Sequence, residues 1–135
     1  LYGTDRVICP LMDARRNQVY TGIYEFCGGS LHVLEPQMAA GIEVIADKLR
    51  ALGREVIFLG DGVPVFRKRL EEELMAGETF SFAPAHLNKQ RAGAVGALAL
   101  QYLKEGKTVS AAEHRPVYLR LSQAERERLE KEKNT

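Results

Sequence analysis

Apolar residues recur along this chain with two different periods, and the switch between them orders its elements. Val7-Ile8-Cys9-Pro10-Leu11-Met12 is a short apolar run of the kind a buried strand makes. Pro10 lacks a backbone N–H, which suits a strand end or an edge. Residues 13–18 are polar and read as a turn. Residues 19–26 are rich in β-branched and aromatic side chains and predict a second strand. Tyr20, Gly22, Tyr24 and Phe26 share one of its faces, and Val19, Thr21 and Ile23 the other. Cys27-Gly28-Gly29-Ser30 is a tight turn, and residues 31–34 are a third strand, so the chain opens as an antiparallel meander.

The period then lengthens. Met38, Ile42, Ile45, Leu49 and Leu52 fall on one helical stripe, with Pro36 placed for the first turn and Gly53 for the C-terminal stop. Glu55-Val56-Ile57-Phe58-Leu59-Gly60 predicts a strand covered on both faces. Pro64 opens a second helix with Phe66, Leu70 and Leu74 inward and Gly77 just past its end. Residues 79–83 are a short strand closed by Pro84. A third helix is expected over residues 88–105. Its middle, Ala92-Gly93-Ala94-Val95-Gly96-Ala97, is unusually small. Two glycines there cost about 1 kcal/mol each relative to alanine. Such a helix suits the close approach of another backbone. Residues 108–115 read as a loop, and Pro116-Val117-Tyr118-Leu119-Arg120 as extended. Ser122-Gln123-Ala124-Glu125 has the form of a capping box. The tail behind it has almost no apolar stripe, and its Glu127–Lys131 and Arg128–Glu132 pairs add only tenths of a kcal/mol.

The order βββαβαβα is that of an α/β ribonuclease H-like unit, the building block of actin-like ATPases. It implies a mixed five-stranded sheet: a meander extended by parallel strands whose crossovers are the helices. Residues 1–121 are expected to form this unit and residues 122–135 a charged helical tail. The chain starts at Leu1 without methionine, so it reads as the C-terminal domain of a longer two-domain protein.

Composition narrows the function classes. The 135 residues are 45% hydrophobic and 27% charged, ordinary for a globular domain, and the net charge of +1 argues against gripping nucleic acid by charge alone. No run approaches the ~20 apolar residues of a membrane helix. His32, His86 and His114 are far apart and form no metalloprotease helix motif. Cys9 and Cys27 have no metal spacing and no activating base nearby in sequence. With the hairpin turning near Arg15 and Arg16, Cys9 lies opposite roughly Gly22, which argues against a Cys9–Cys27 disulfide.

Three motifs carry a family resemblance. Asp13-Ala14-Arg15-Arg16-Asn17-Gln18-Val19-Tyr20, with Pro10-Leu11-Met12 before it, resembles the hairpin that opens the C-terminal domain of TsaB (YeaZ) proteins. Gly60-Asp61-Gly62 resembles that family's glycine turn, and Pro116-Val117-Tyr118-Leu119-Arg120 its ending. The resemblance implies an actin-like ATPase fold without a working catalytic site, in a family once called glycoprotease-like or peptidase M22-like. It implies a non-catalytic, cytoplasmic partner of the TsaD-type subunit that makes threonylcarbamoyladenosine on tRNA. A TsaE-type ATPase joins that complex, and homodimers form. ATP is expected in the partner subunits and no cofactor in this domain. Contact with tRNA would be indirect, and no membrane is involved.

The residues themselves leave alternatives open. A phosphate-binding member of this fold needs a glycine-rich turn between its first two strands, where free backbone N–H groups cradle the anion. Here that turn is Asp13–Gln18 and has no glycine, which weighs against ATP hydrolysis. Arg15 and Arg16 suit an anionic partner; equally, they and Asp13 tie down their own hairpin. Tyr20 and Tyr24 read as core or packing surface, or as a base-stacking platform. Gly60, Asp61 and Gly62 let a nucleotide approach the carboxyl end of the strand, or form a tight strand-to-helix turn. Tyr118 and Leu119 anchor the final segment back on the domain, or Arg120 contacts a partner from it. Two other functions stand beside the leading one: a kinase or ATPase of the same fold, and a direct tRNA-binding module.

Overall fold

The computed structural model describes residues 1, 3–121, 125, 128, 131 and 132. The residues of the expected capping box at 122–124, and Glu127, lie outside the described residues; the Arg128–Glu132 pair is present at 3.0 Å.

Six strands make one mixed sheet. β1 (Val7–Pro10) and the two-residue β2 (Met12–Asp13) both pair antiparallel with β3 (Gln18–Cys27), whose other edge carries β4 (Ser30–Gly41). β1 also pairs parallel with β5 (Val56–Leu59), which pairs parallel with β6 (Phe80–Phe82). β1 and β2 are one strand interrupted at Leu11, so the sheet has the five-stranded ribonuclease H-like order β4-β3-β1-β5-β6 expected from the sequence. Gly28 and Gly29, both at positive φ, form the two-residue connection between β3 and β4 that matches strand twist.

Alternation along the strands sends side chains to two faces. Val7, Cys9, Val19, Ile23, Val56 and Phe58 face α1 (Ile42–Leu52) and α2 (Val63–Arg69), and with Ile42, Ile45, Leu49, Phe66 and Leu70 they form the main core. A π-helical turn, Leu70–Leu74, continues α2. Ile8, Ile57 and Ala83 face the other way, with Tyr24, Phe26, Leu59 and Leu87 partly covering them. That second face is thinly roofed. A 3-10 turn (Ala85–Leu87) leads to α3 (Ala92–Lys104), and no residue of α3 is buried.

Three expectations are corrected. Residues 36–41 are strand, not the start of a helix: Met38 pairs with Thr21 and Gly41 with Gln18, and the helix begins at Ile42. Leu34, Met38 and Ala40 pack on the core at even spacing, and Met38 also sits four residues before Ile42, so it satisfies both periods. The long free edge of β3 decides for strand, and Pro36 is tolerated because β4 is an edge. The third helix begins at Ala92 rather than residue 88, after the 3-10 turn. No backbone approaches its glycines, since a Cβ on Gly93 or Gly96 would meet nothing within 4 Å.

Candidate functional site

The three sequence motifs, far apart in the chain, meet at the carboxyl ends of β1 and β5. Leu11 is the pivot. Its N–H donates to Leu59 O at 2.7 Å, and its carbonyl accepts from Gly62 N at 2.9 Å. Gly60 passes so close that a Cβ there would lie 2.3 Å from Leu11 O, and its φ is +104°. Only glycine fits that position without strain. Asp61 then reaches across: its Oδ1 accepts the Asp13 N–H at 3.1 Å. The glycine turn and the opening hairpin are therefore one unit. Gly60-Asp61-Gly62 forms a tight turn, in which Asp61 bonds to the hairpin and does not cap the helix that follows.

The hairpin beyond Asp13 is unusual. Arg15, Arg16 and Asn17 all have φ near +60°. Consecutive left-handed non-glycine residues cost about 1–2 kcal/mol each, so side chains must hold the turn. Asp13 Oδ1 accepts the Arg15 N–H at 2.8 Å, and Asp13 Oδ2 lies 3.3 Å from the Arg15 guanidinium. Asn17 donates to Glu43 Oε1 at 2.7 Å and accepts from Arg69 at 2.8 Å. Arg69 closes the triangle on Glu43 at 2.7 Å. The backbone N–H of Glu43 itself, then Arg69 and Asn17, hold the Glu43 carboxyl below the usual range, and Glu43 with Glu73 raises Arg69. The amides of Asp13, Ala14, Arg15 and Gln18 all donate within the protein, so four N–H groups of this turn are already used.

Arg120 brings in the end of the chain. Its Nη1 donates to Ala14 O at 2.9 Å and to Gln18 Oε1 at 3.1 Å. The final segment thus docks on the hairpin through Arg120, with Leu119 half-buried beside it. Tyr118 is no anchor, being 85% exposed. Arg15 is also directed outward, 86% exposed, so the hairpin presents a guanidinium to solvent.

Beside this corner opens a cleft of about 670 Å³ between the second sheet face and α3. Tyr20, Tyr24, Leu59, Val95 and Arg120 are among the residues that line it. Burial pushes the Tyr24 hydroxyl up, opposed by its bond with Gln37. The Tyr24 ring lies over Gly22, where a Cβ would come within 2.3 Å of its hydroxyl.

Sequence reasoning picked out Asp13, Arg15, Arg16, Tyr20, Gly60, Asp61, Gly62 and Arg120. The structure brings Asp13, Arg15, Gly60, Asp61, Gly62 and Arg120 into one connected set, and Tyr20 into the lining of the cleft. It missed Leu11, Asn17, Glu43 and Arg69. Asn17 carried a signal, since asparagine tolerates left-handed backbone; Arg69 carried none. Among the described residues no cluster of His, Cys, Asp or Glu could hold a metal ion. Cys9 is buried and its thiol is pushed up to about 12 by desolvation, while Cys27 is exposed; both are free.

Over 132 residues, 96% of its length, the chain is 32% identical to the tRNA threonylcarbamoyladenosine biosynthesis protein TsaB of Bacillus subtilis (strain 168). The chain belongs to the TsaB/YeaZ family. It covers 54% of that relative, so it spans about half the length of the TsaB protein it matches. Two solved structures from Pseudomonas aeruginosa share the fold. One, an uncharacterized protein with similarity to peptidase YEAZ, superimposes with a TM-score of 0.66 at 23% identity, covering 86% of this chain and 50% of its own. The other, YeaZ itself, gives 0.60 at 21% identity, covering 84% of this chain and 50% of its own. No protein-family model matches the chain. For a TsaB/YeaZ chain the joined motifs are notable, because the hairpin, glycine turn and final arginine form a single hydrogen-bonded corner. No helix of the described residues is long and apolar enough to cross a membrane.

Proposed function

We propose that this chain is the C-terminal ribonuclease H-like domain of a non-catalytic subunit in threonylcarbamoyladenosine modification of tRNA, and that it supports a TsaD-type catalytic partner. The observation that carries this reading is the 32% identity to TsaB across nearly the whole chain. The hairpin geometry supports the non-catalytic part. A phosphate cradle needs several free, converging N–H groups, and here four amides of the turn are bonded internally. The displayed Arg15 gives the corner a cation for an anionic contact on the partner or on tRNA held by the partner. In this reading ATP belongs to the partner subunits, including a TsaE-type ATPase, and the chain itself needs no cofactor. Assembly as a homodimer and a cytoplasmic setting belong to the same proposal.

The test is reconstitution with a TsaD-type subunit, followed by size-exclusion chromatography and transfer of the threonylcarbamoyl group to tRNA. A stable complex that modifies tRNA, formed with a chain that turns over neither ATP nor peptide alone, is the expected result. Magnesium-dependent ATP turnover by the isolated protein would replace this reading with that of a kinase or ATPase. Failure to form any complex would remove its basis.

A further inference from the structure

Arg15, Arg16 and Asn17 stand in left-handed backbone one after another, with φ of 63°, 53° and 61°. None is glycine, so each carries the clash between its Cβ and the following carbonyl that this region imposes. Asparagine bears it best, because its short amide can bond locally. Here the Asn17 amide reaches away from its own turn instead. It donates to Glu43 on α1 and accepts from Arg69 on α2.

Arg69 joins three elements. Its Nη1 donates to Asn17 Oδ1 at 2.8 Å, its Nη2 lies 2.7 Å from Glu43 Oε1, and its Nε lies 3.3 Å from Glu73 Oε2. A planar guanidinium fork serves acceptors in several fixed directions, whereas an ammonium is a point charge on a flexible stem. Arg69 ends α2, and Glu73 belongs to the π-helical turn that follows, where the Met75 N–H donates to Leu70 O. Turns of this kind inside helices concentrate at functional sites. This one is pinned to α1, since Arg50 donates to Leu74 O at 3.2 Å.

Strain and bonding oppose each other here. Three left-handed residues push against the closed turn. The groups that hold it lie at the surface, with the side chains of Arg69, Glu43 and Glu73 34%, 41% and 64% exposed. Ion pairs so exposed are individually weak. The packing beneath is of another kind, because Ile42, Ile45, Phe66 and Leu70 are all buried. The turn is thus the low-stability segment of this corner, set on a frame that stays packed when it opens.

We infer that residues 14–18 form a spring-loaded element and that Arg69 is its latch: a conformational device in which the end of α2 holds the hairpin left-handed or lets it go. Letting go redirects Arg15 and releases the amides of Ala14 and Gln18. Every bond of the latch is made between residues 17 and 73, so no neighbouring domain or subunit is needed to close it. The device goes beyond the proposed function and does not depend on it.

Amide hydrogen exchange of the protein, followed by NMR, tests it. The reporters are Ala14 and Gln18, whose N–H groups bond across the turn to Gln18 O and Arg15 O; the references are Val56 and Ala83, bonded to Thr79 O and Phe58 O. In Arg69→Met the reporters should exchange about tenfold faster while the references keep their rates. Arg69→Lys keeps the charge without the fork and should behave like Arg69→Met. Glu73→Gln, which reaches the hairpin through Arg69, should speed the reporters by about threefold. Lys68→Met removes the neighbouring pair with Glu72 and should change neither set. Unchanged reporters in Arg69→Met would overturn the inference. So would reporters and references speeding up by the same factor, because the hairpin would then open only with the whole domain. Should Arg69→Met not fold, Glu73→Gln decides, and reporters that keep their rates in it overturn the latch.

Discussion

Replacing Gly60 by alanine tests whether the corner is one mechanical unit. The added methyl would sit 2.3 Å from Leu11 O and about 3 Å from Leu11 C and N, where ordinary contact begins at 3.4 Å. Leu11 must therefore retreat by about an ångström, and it is backbone, so no rotamer change relieves it. Its retreat stretches the bonds to Leu59 O and from Gly62 N. Losing one of them costs about 1–3 kcal/mol. Holding alanine at a φ of +104° adds about 1–3 kcal/mol. Together the loss is about 2–6 kcal/mol, or a fall in Tm of roughly 7–20 °C for a chain of this size. Urea unfolding followed by circular dichroism reads it as a lower midpoint with an unchanged slope. Gly77→Ala is the control, at φ +85° with nothing within 4 Å of the new Cβ. It should cost about 1–3 kcal/mol, the backbone term alone. If Gly60→Ala is no worse than Gly77→Ala, the close approach to Leu11 does not hold the two motifs together.

Arg120→Ala removes both bonds to the hairpin and should cost about 1–2 kcal/mol. Chymotrypsin should then cut faster after Tyr118 in the native protein, and an unchanged cleavage rate would mean the final segment is not docked through Arg120. Cys27 should react at once with a thiol reagent in the native protein, while buried Cys9 reacts only as the chain unfolds; two fast thiols would contradict the core placement of Cys9. Glu43 has a folded pKa below its unfolded value, so its contribution is present above about pH 4.3 and is lost as the pH falls through the folded value. The stability difference between the native protein and Glu43→Gln should therefore shrink on acidification, and a difference that grows below pH 4 would refute the assignment.

Much of this architecture was legible because burial and period agreed. The run 55–60 needed no context: Val56, Ile57 and Phe58 are all buried, as a strand covered on both faces requires. Gly53 stops α1 in left-handed backbone at φ 60°, where only the turn chemistry matters. Residues 36–41 misled because local pattern was ambiguous and a partner strand, invisible in one segment, decided the outcome. α3 misled differently. Its small residues permit a close approach, and among the described residues nothing makes one. In the site, individual residues were readable by type, whereas the Asn17–Glu43–Arg69 triangle joins positions up to 52 apart in sequence and depends on packing no spacing encodes.

That triangle explains why so strained a turn persists. Three left-handed residues in a row would relax in an isolated hairpin. Here Asn17 is gripped from α1 and from α2, Arg15 is held by Asp13, and Ala14 by Arg120. Each tether comes from a different element, so the turn is fixed only once the whole domain has folded. A surface held this way loses little freedom when something binds it, and preorganisation of that kind raises affinity without adding a contact. Separate bonds occupy the amides of Asp13, Ala14, Arg15 and Gln18. The corner is thus braced by side chains from α1, α2 and the final segment, with four of its amide donors bonded within the protein. What it leaves open to solvent is the outward guanidinium of Arg15.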